Sequence, residues 1–204
     1  MTLIPYKVRF SHGEKIENDF IDYINSRSLW VAHTYGQRQF DPGVKNDLRN
    51  ISLPVKGDYA QSMIQRLPET WRHIYQRGLA NGFPSLCRWD ADAFCVYNNK
   101  PQFFAEIKSS ITRSNNVAIE ITCYLAALVN QDRLGLPLHF VFSPNESNQS
   151  WTYLTLDEIA MSVSRVFDGR NTSGSSTPFA LIPKEALIKP IDGLLVQCAD
   201  QWPL

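Results

Sequence analysis

From Val117 to about Gln131 the chain carries a single charged residue, Glu120. Gly135 closes this run, and Leu136-Pro137-Leu138-His139-Phe140-Val141-Phe142-Ser143 follows as a continuous apolar segment. A helix that is apolar nearly all round has to be buried. A short apolar run reads as a strand covered on both faces of a sheet. Together they predict a helix crossing between a strand and its parallel neighbour, the right-handed βαβ unit, and so an α/β fold. His139 falls within that strand and reads as a core or edge histidine. Glu120 and Tyr124, four apart on the expected helix, share a face, either toward a site or along a solvent ridge.

The strand that should precede this unit lies in Trp89 to Ser110. Ala91 to Tyr97 and Gln102 to Lys108 are both rich in aromatic and β-branched residues, and Asn98-Asn99-Lys100-Pro101 supplies the turn between them. Asp92 opens the first run, while Glu106 and Lys108 stand two apart near the end of the second, on one face. For Asp92 to stand across from Glu106, a regular hairpin needs a three-residue loop centred on Asn99, because an even loop turns the acids to opposite faces. Carboxylates on neighbouring strands can hold a hard cation such as Mg²⁺, which takes only one or two of them and keeps room for water and phosphate. The competing reading is an exposed hairpin with solvated cross-strand charge pairs.

Asp92, followed on the next strand by Glu106-Ile107-Lys108, resembles the PD-(D/E)XK nuclease superfamily. Its pattern is an acid, then Asp or Glu, any residue and Lys. Ala91 stands where that pattern has proline. Asp90 is a second acid on the same strand face, and Asp92 is preferred because it leads directly into the apolar run. The resemblance spans roughly Phe10 to Ser143. It implies a restriction-endonuclease-like αβββαβ core, with a mixed central sheet flanked by helices, and metal-dependent hydrolysis of nucleic-acid phosphodiesters, DNA first. Asp92, Glu106 and Lys108 would be the catalytic set. Mg²⁺, replaceable by Mn²⁺, would be held by Asp92, Glu106 and the Ile107 carbonyl, with Glu17 as an extra acid. The alternatives are an inactive nucleic-acid-binding or assembly module of the same fold, and an RNA-directed nuclease.

Glu17 sits on a helix expected from a capping box at Ser11 and Glu14 to about Arg27. Ile16, Phe20, Ile21, Tyr23 and Ile24 form its apolar stripe, and Glu17 lies on the core-facing side or at the stripe's edge. Leu29 to Tyr35 reads as a strand, with His33 incidental to it. Residues 36 to 58 read as a long loop carrying Arg38, Lys45, Arg49 and Lys56. Asp58 to Ala80 reads as two helices parted at Pro68, the second with Trp71, Ile74, Tyr75 and Leu79 on its apolar side.

After Ser143, an edge strand at Trp151 to Leu154 leads into a second capping box, Thr155 and Glu158, opening a helix to about Phe167. Residues 171 to 178 form a polar linker. The tail from Phe179 docks on the domain or on a second subunit, which keeps a homodimer among the expectations. The whole reads as one domain: core about 10–143, a loop and helical insertion at 36–82, and additions at 144–204.

Twenty basic and twenty acidic residues give no net charge, so any nucleic-acid surface has to be a local patch. The 44% hydrophobic content is ample for a core. Cys87, Cys95, Cys123 and Cys198 form no C-x-x-C pair, and three of them lie in apolar segments and read as small hydrophobes, as expected of a cytoplasmic protein without structural zinc. No signal peptide or membrane span is expected.

Overall fold

In the computed structural model, the described residues are 6–34, 53–54, 58–80, 86–87, 91–111, 114–145, 149–167 and 178–201. The elements in chain order are α1 (Tyr6–Asn25), β1 (Trp30–Thr34), β2 (Leu53–Pro54), α2 (Asp58–Gln65), α3 (Glu69–Ala80), β3 (Leu86–Cys87), β4 (Ala93–Tyr97) and β5 (Lys100–Lys108). They continue as β6 (Asn116–Glu120), α4 (Ile121–Leu134), β7 (Leu138–Phe142), β8 (Thr152–Thr155), α5 (Leu156–Ser162), β9 (Arg165–Phe167), β10 (Phe179–Pro183) and α6 (Ile191–Asp200).

The main sheet has five strands in the order β1-β4-β5-β7-β8. Strands β1, β4 and β5 are antiparallel neighbours, β5 and β7 run parallel from Phe104↔Leu138 to Lys108↔Phe142, and β8 closes the edge antiparallel to β7. Helix, three antiparallel strands, helix and parallel strand is the αβββαβ order that the family resemblance implies. Alternation along each strand sends side chains to two separate cores. On one face, Ile16, Phe20 and Ile24 of α1 and Ile191, Leu194 and Leu195 of α6 pack on Phe103, Ala105 and Ile107. On the other, α4 packs on Phe104, Phe140 and Phe142, with Trp71 and Tyr75 of α3 beneath it. The all-buried β7 and the positive φ of 66° at Gly135, which ends α4, match the sequence reading. Among the described residues no helix is long and apolar enough to cross a membrane.

Four local expectations are corrected. Helix α1 begins at Tyr6, five residues before the capping box at Ser11, and ends at Asn25; no proline or glycine interrupts Tyr6 to Phe10. Val117 to Glu120 is strand, not helix: Val117 and Ile119 are buried in period-two alternation, and the segment pairs with Phe179–Pro183, some sixty residues later. Tertiary pairing here overrides local continuity with α4. Glu120 therefore caps α4 as an exposed residue, while the buried Tyr124 donates its hydroxyl to the Leu156 carbonyl at 3.0 Å, so the two share neither site nor ridge. The capping box at Thr155 and Glu158 forms in both directions, but α5 stops at Ser162. Val163 is extended and Ser164 N–H bonds the Leu181 carbonyl, which starts β9 on its pairing with β10.

The tail docks on the domain. Tyr23 Oη donates to Asp192 Oδ1 at 2.8 Å, and Arg27 pairs with the same carboxylate, fastening α6 to α1. Pro68 divides α2 from α3 as expected, its carbonyl accepting from Arg72 N–H at 2.9 Å. The loop at 36–52, the Asn81-to-Pro84 connection, the second acid Asp90 and the linker at 171–177 lie outside the described residues.

Candidate active site

The register between β4 and β5 decides whether the two acids meet. The loop has two residues, Asn98 and Asn99, with φ of 47° and 61°, the conformation that two-residue hairpin turns demand and that asparagine tolerates. Left unbroken, that loop would turn Asp92 and Glu106 to opposite faces. A bulge corrects it. Val96 faces Pro101, but Cys95 faces Phe103, so Gln102 is the extra residue on β5. Pro101 has no N–H to give to the ladder, which suits a bulge beside it. Beyond the bulge Phe94 faces Phe104 and Ala93 faces Ala105, so Asp92, one residue before β4, falls on the side of β5 where Glu106 lies, and the Glu106 charge acts on it. The expected three-residue loop is thus incorrect, and the bulge restores the shared face that the loop was meant to give the two acids.

Two hydrogen bonds fix Asp92 to the end of β5. Its N–H donates to the Ala105 carbonyl at 2.9 Å, and its Oδ2 accepts from Ile107 N–H at 2.7 Å. Glu106 Oε1 accepts from Lys108 Nζ at 2.6 Å and from Cys123 Sγ at 3.0 Å. The Glu106 side chain is only 12% exposed and that of Lys108 26%, so the pair sits at the rim of the core and not in bulk water. This geometry differs from solvated cross-strand pairing.

Burial drives the Asp92 carboxyl well above the usual carboxylate range, and the charges of Glu106 and Glu17 push in the same direction, against Lys108 and the Ile107 N–H. Glu17 thus reaches the site electrostatically from α1. Burial disfavours charge on Lys108, but the carboxylates of Glu106 and Asp92 and the hydrogen bond to Glu106 outweigh it and hold the ammonium well above its ordinary range. Burial, then Glu106, pushes the Cys123 thiol far up, leaving it protonated.

Sequence reasoning missed Cys123, treating it as one small hydrophobe in an apolar helix. The available signal was topological. A helix that crosses from β5 back to the start of β7 has to begin over the C-terminal end of β5, so its first turn lies beside Glu106 and Lys108. His33 is exposed on β1. His139 is 6% exposed on the opposite face of the sheet, between the rings of Phe103 and Tyr153, each 5.4 Å away by centroid. Burial lowers its pKa to about 4, and its Nδ1 has no hydrogen-bond partner.

No family model and no curated protein matches the chain. Among solved structures it is similar to Hjc, a Holliday junction resolvase from the archaeal hyperthermophile Archaeoglobus fulgidus, at 8% identity and a TM-score of 0.44, over 89% of this chain and 98% of the resolvase. It is also similar to a nuclease from a fusselovirus, at 14% identity and a TM-score of 0.37, over 52% of this chain and 64% of that one. The strand order and pairings described above are those of a restriction-endonuclease-like fold.

Proposed function

We propose that the chain is a divalent-metal-dependent nuclease that hydrolyses phosphodiester bonds, with DNA as its main substrate. The observation that carries this reading is Asp92 held on the Ile107 N–H, within reach of the Glu106 charge, with Lys108 Nζ 2.6 Å from Glu106 at the C-terminal end of a parallel strand pair. Ligand sites of α/β sheets concentrate at such strand ends.

The donor set fits a hard divalent cation. Among the described residues, the charges acting with Asp92 are the Glu106 and Glu17 carboxylates and the Lys108 ammonium, an acid excess that burial makes costly and that two positive charges would offset. Among the described residues no three His, Cys, Asp or Glu side chains gather into an all-protein metal cage. Mg²⁺ characteristically uses one or two carboxylates and fills its remaining positions with water and phosphate oxygens. Asp92 and Glu106 would be its protein ligands, with the Ile107 carbonyl beside them and Glu17 acting at longer range, and Mn²⁺ would substitute. When bound, such an ion polarises a phosphoryl oxygen and lowers the pKa of water. The chain's own residues then have distinct tasks. Asp92 is locked in orientation by the Ile107 N–H, Glu106 presents its carboxylate from the rim of the core, and Lys108 positions the attacking water and stabilises charge developing on the phosphate.

The test is hydrolysis of supercoiled plasmid and of single-stranded RNA by the full chain in Mg²⁺, Mn²⁺ or EDTA. Metal-dependent nicking of DNA is expected. Cleavage of RNA alone would move the assignment to an RNA-directed enzyme, and binding of DNA without cleavage in any metal would leave a non-catalytic module.

A further inference from the structure

We infer that Cys123 is a positioning residue of this site, one that fixes the Glu106 carboxylate from the first turn of α4. The inference rests on the nuclease reading above and adds a third structural element to it. Cys123 Sγ and Lys108 Nζ both donate to the same oxygen, Glu106 Oε1, at 3.0 and 2.6 Å. They arrive from different elements, α4 and β5, so together they hold the carboxylate where Lys108 alone, two residues away on the same strand, would leave it free to swing. With both of these donors on Oε1, no donor among the described residues occupies the other carboxylate oxygen, which leaves it to a cation.

The chemistry of the donor matters as much as its position. A second ammonium or guanidinium would cancel the charge that attracts a divalent ion. A thiol is a weak, neutral donor, so it orients Glu106 without neutralising it. The Glu106 side chain is 12% exposed, and bulk water cannot readily replace a lost donor there. Groups that orient metal ligands by hydrogen bonds typically cost about 10- to 100-fold in affinity or activity when removed.

Three variants and two kinds of readout test this. Cys123→Ala is expected to lower kcat on supercoiled plasmid about tenfold and to weaken Mn²⁺ binding by a similar factor, with KM for DNA unchanged. Cys123→Ser keeps a hydroxyl donor and should recover activity to within about threefold of wild type. Independently of turnover, the S–H stretch in the Raman spectrum reports the hydrogen bond itself. The band that Cys123→Ala removes should lie at the low frequency of a bonded thiol and should move up in Glu106→Gln. Cys123→Ala with wild-type kcat and metal affinity overturns the inference. So do equal losses in the Ala and Ser variants accompanied by a lowered melting temperature, the signature of packing alone. If wild-type protein cuts no nucleic acid, the nuclease reading fails, and the positioning role fails with it. The Raman band then shows separately whether Cys123 donates to Glu106.

Discussion

Toward α1, strand β5 presents Phe103, Ala105 and Ile107, all buried among aliphatic and aromatic side chains; toward α4 the alternating residues are Phe104, Glu106 and Lys108. Each face also contains buried polarity, of different kinds. On the α4 side of β5, Lys108 and Cys123 both donate to Glu106, Asp92 accepts from the Ile107 N–H, and the charges of Glu106 and Lys108 act on Asp92. On the α1 face, His139 of the adjacent strand lies between two rings with Nδ1 unpartnered and is held neutral by burial. Buried polarity that is mutually arranged and shifted by specific neighbours is characteristic of functional sites. A lone neutral imidazole among rings is core material that costs stability when it takes up a proton. The two faces should therefore answer differently to mutation and to pH.

The largest effect is expected on the α4 face. Asp92→Asn should reduce nicking of supercoiled plasmid to background while leaving the melting temperature at or above that of wild type, because the amide removes a carboxylate that burial and Glu106 disfavour. A variant that retains activity would mean that Asp92 holds the hairpin and not the chemistry. Lys108→Ala comes next. Single-turnover rates should fall about 10²- to 10³-fold, as for loss of one preorganised electrostatic donor, with DNA binding by fluorescence anisotropy little changed.

The α1 face should respond in stability alone. His139 in the folded chain has a pKa lowered to about 4, against about 6.5 when unfolded. The unfolded chain therefore binds the proton first. The stabilisation is fully present above about pH 6.5 and is lost as pH falls toward 4, amounting to about 3 kcal/mol across that window. Urea melts of wild type and His139→Leu between pH 4 and 7.5 check this. The difference between the two proteins should carry the slope, and parallel curves would show that His139 is not buried neutral. The smallest effect belongs to Glu17→Gln. Glu17 influences Asp92 by charge from another helix, so metal affinity should weaken by about tenfold or less, and a complete loss would make Glu17 a direct ligand.

Much of this contrast was legible in the sequence. The apolar run ending at Gly135 and the all-apolar β7 specify a buried βαβ unit by composition alone, and the Ile16, Phe20 and Ile24 stripe fixes which side of α1 packs. What escaped reading depended on partners distant in the chain. Val117 to Glu120 is strand because Phe179 to Pro183 pairs with it, and α5 ends early because Ser164 bonds Leu181. At the candidate site, residue types and spacing singled out Asp92, Glu106 and Lys108, but the loop length inferred from them was off by one, and the bulge at Gln102 supplies the missing residue. Cys123 was invisible because a thiol in an apolar helix has no pattern of its own, and only the placement of α4 over the end of β5 gives it a role.

The central claim is that the α4 face of β5 is a divalent-metal site, and calorimetric titration of wild-type protein and Glu106→Gln with Mn²⁺ and Mg²⁺ tests it most directly. Saturable binding by wild type is predicted, lost or strongly weakened in Glu106→Gln, where a neutral amide replaces an anionic ligand, with little change in melting temperature for the metal-free proteins. No binding by wild type, or equal binding by both proteins, would contradict it.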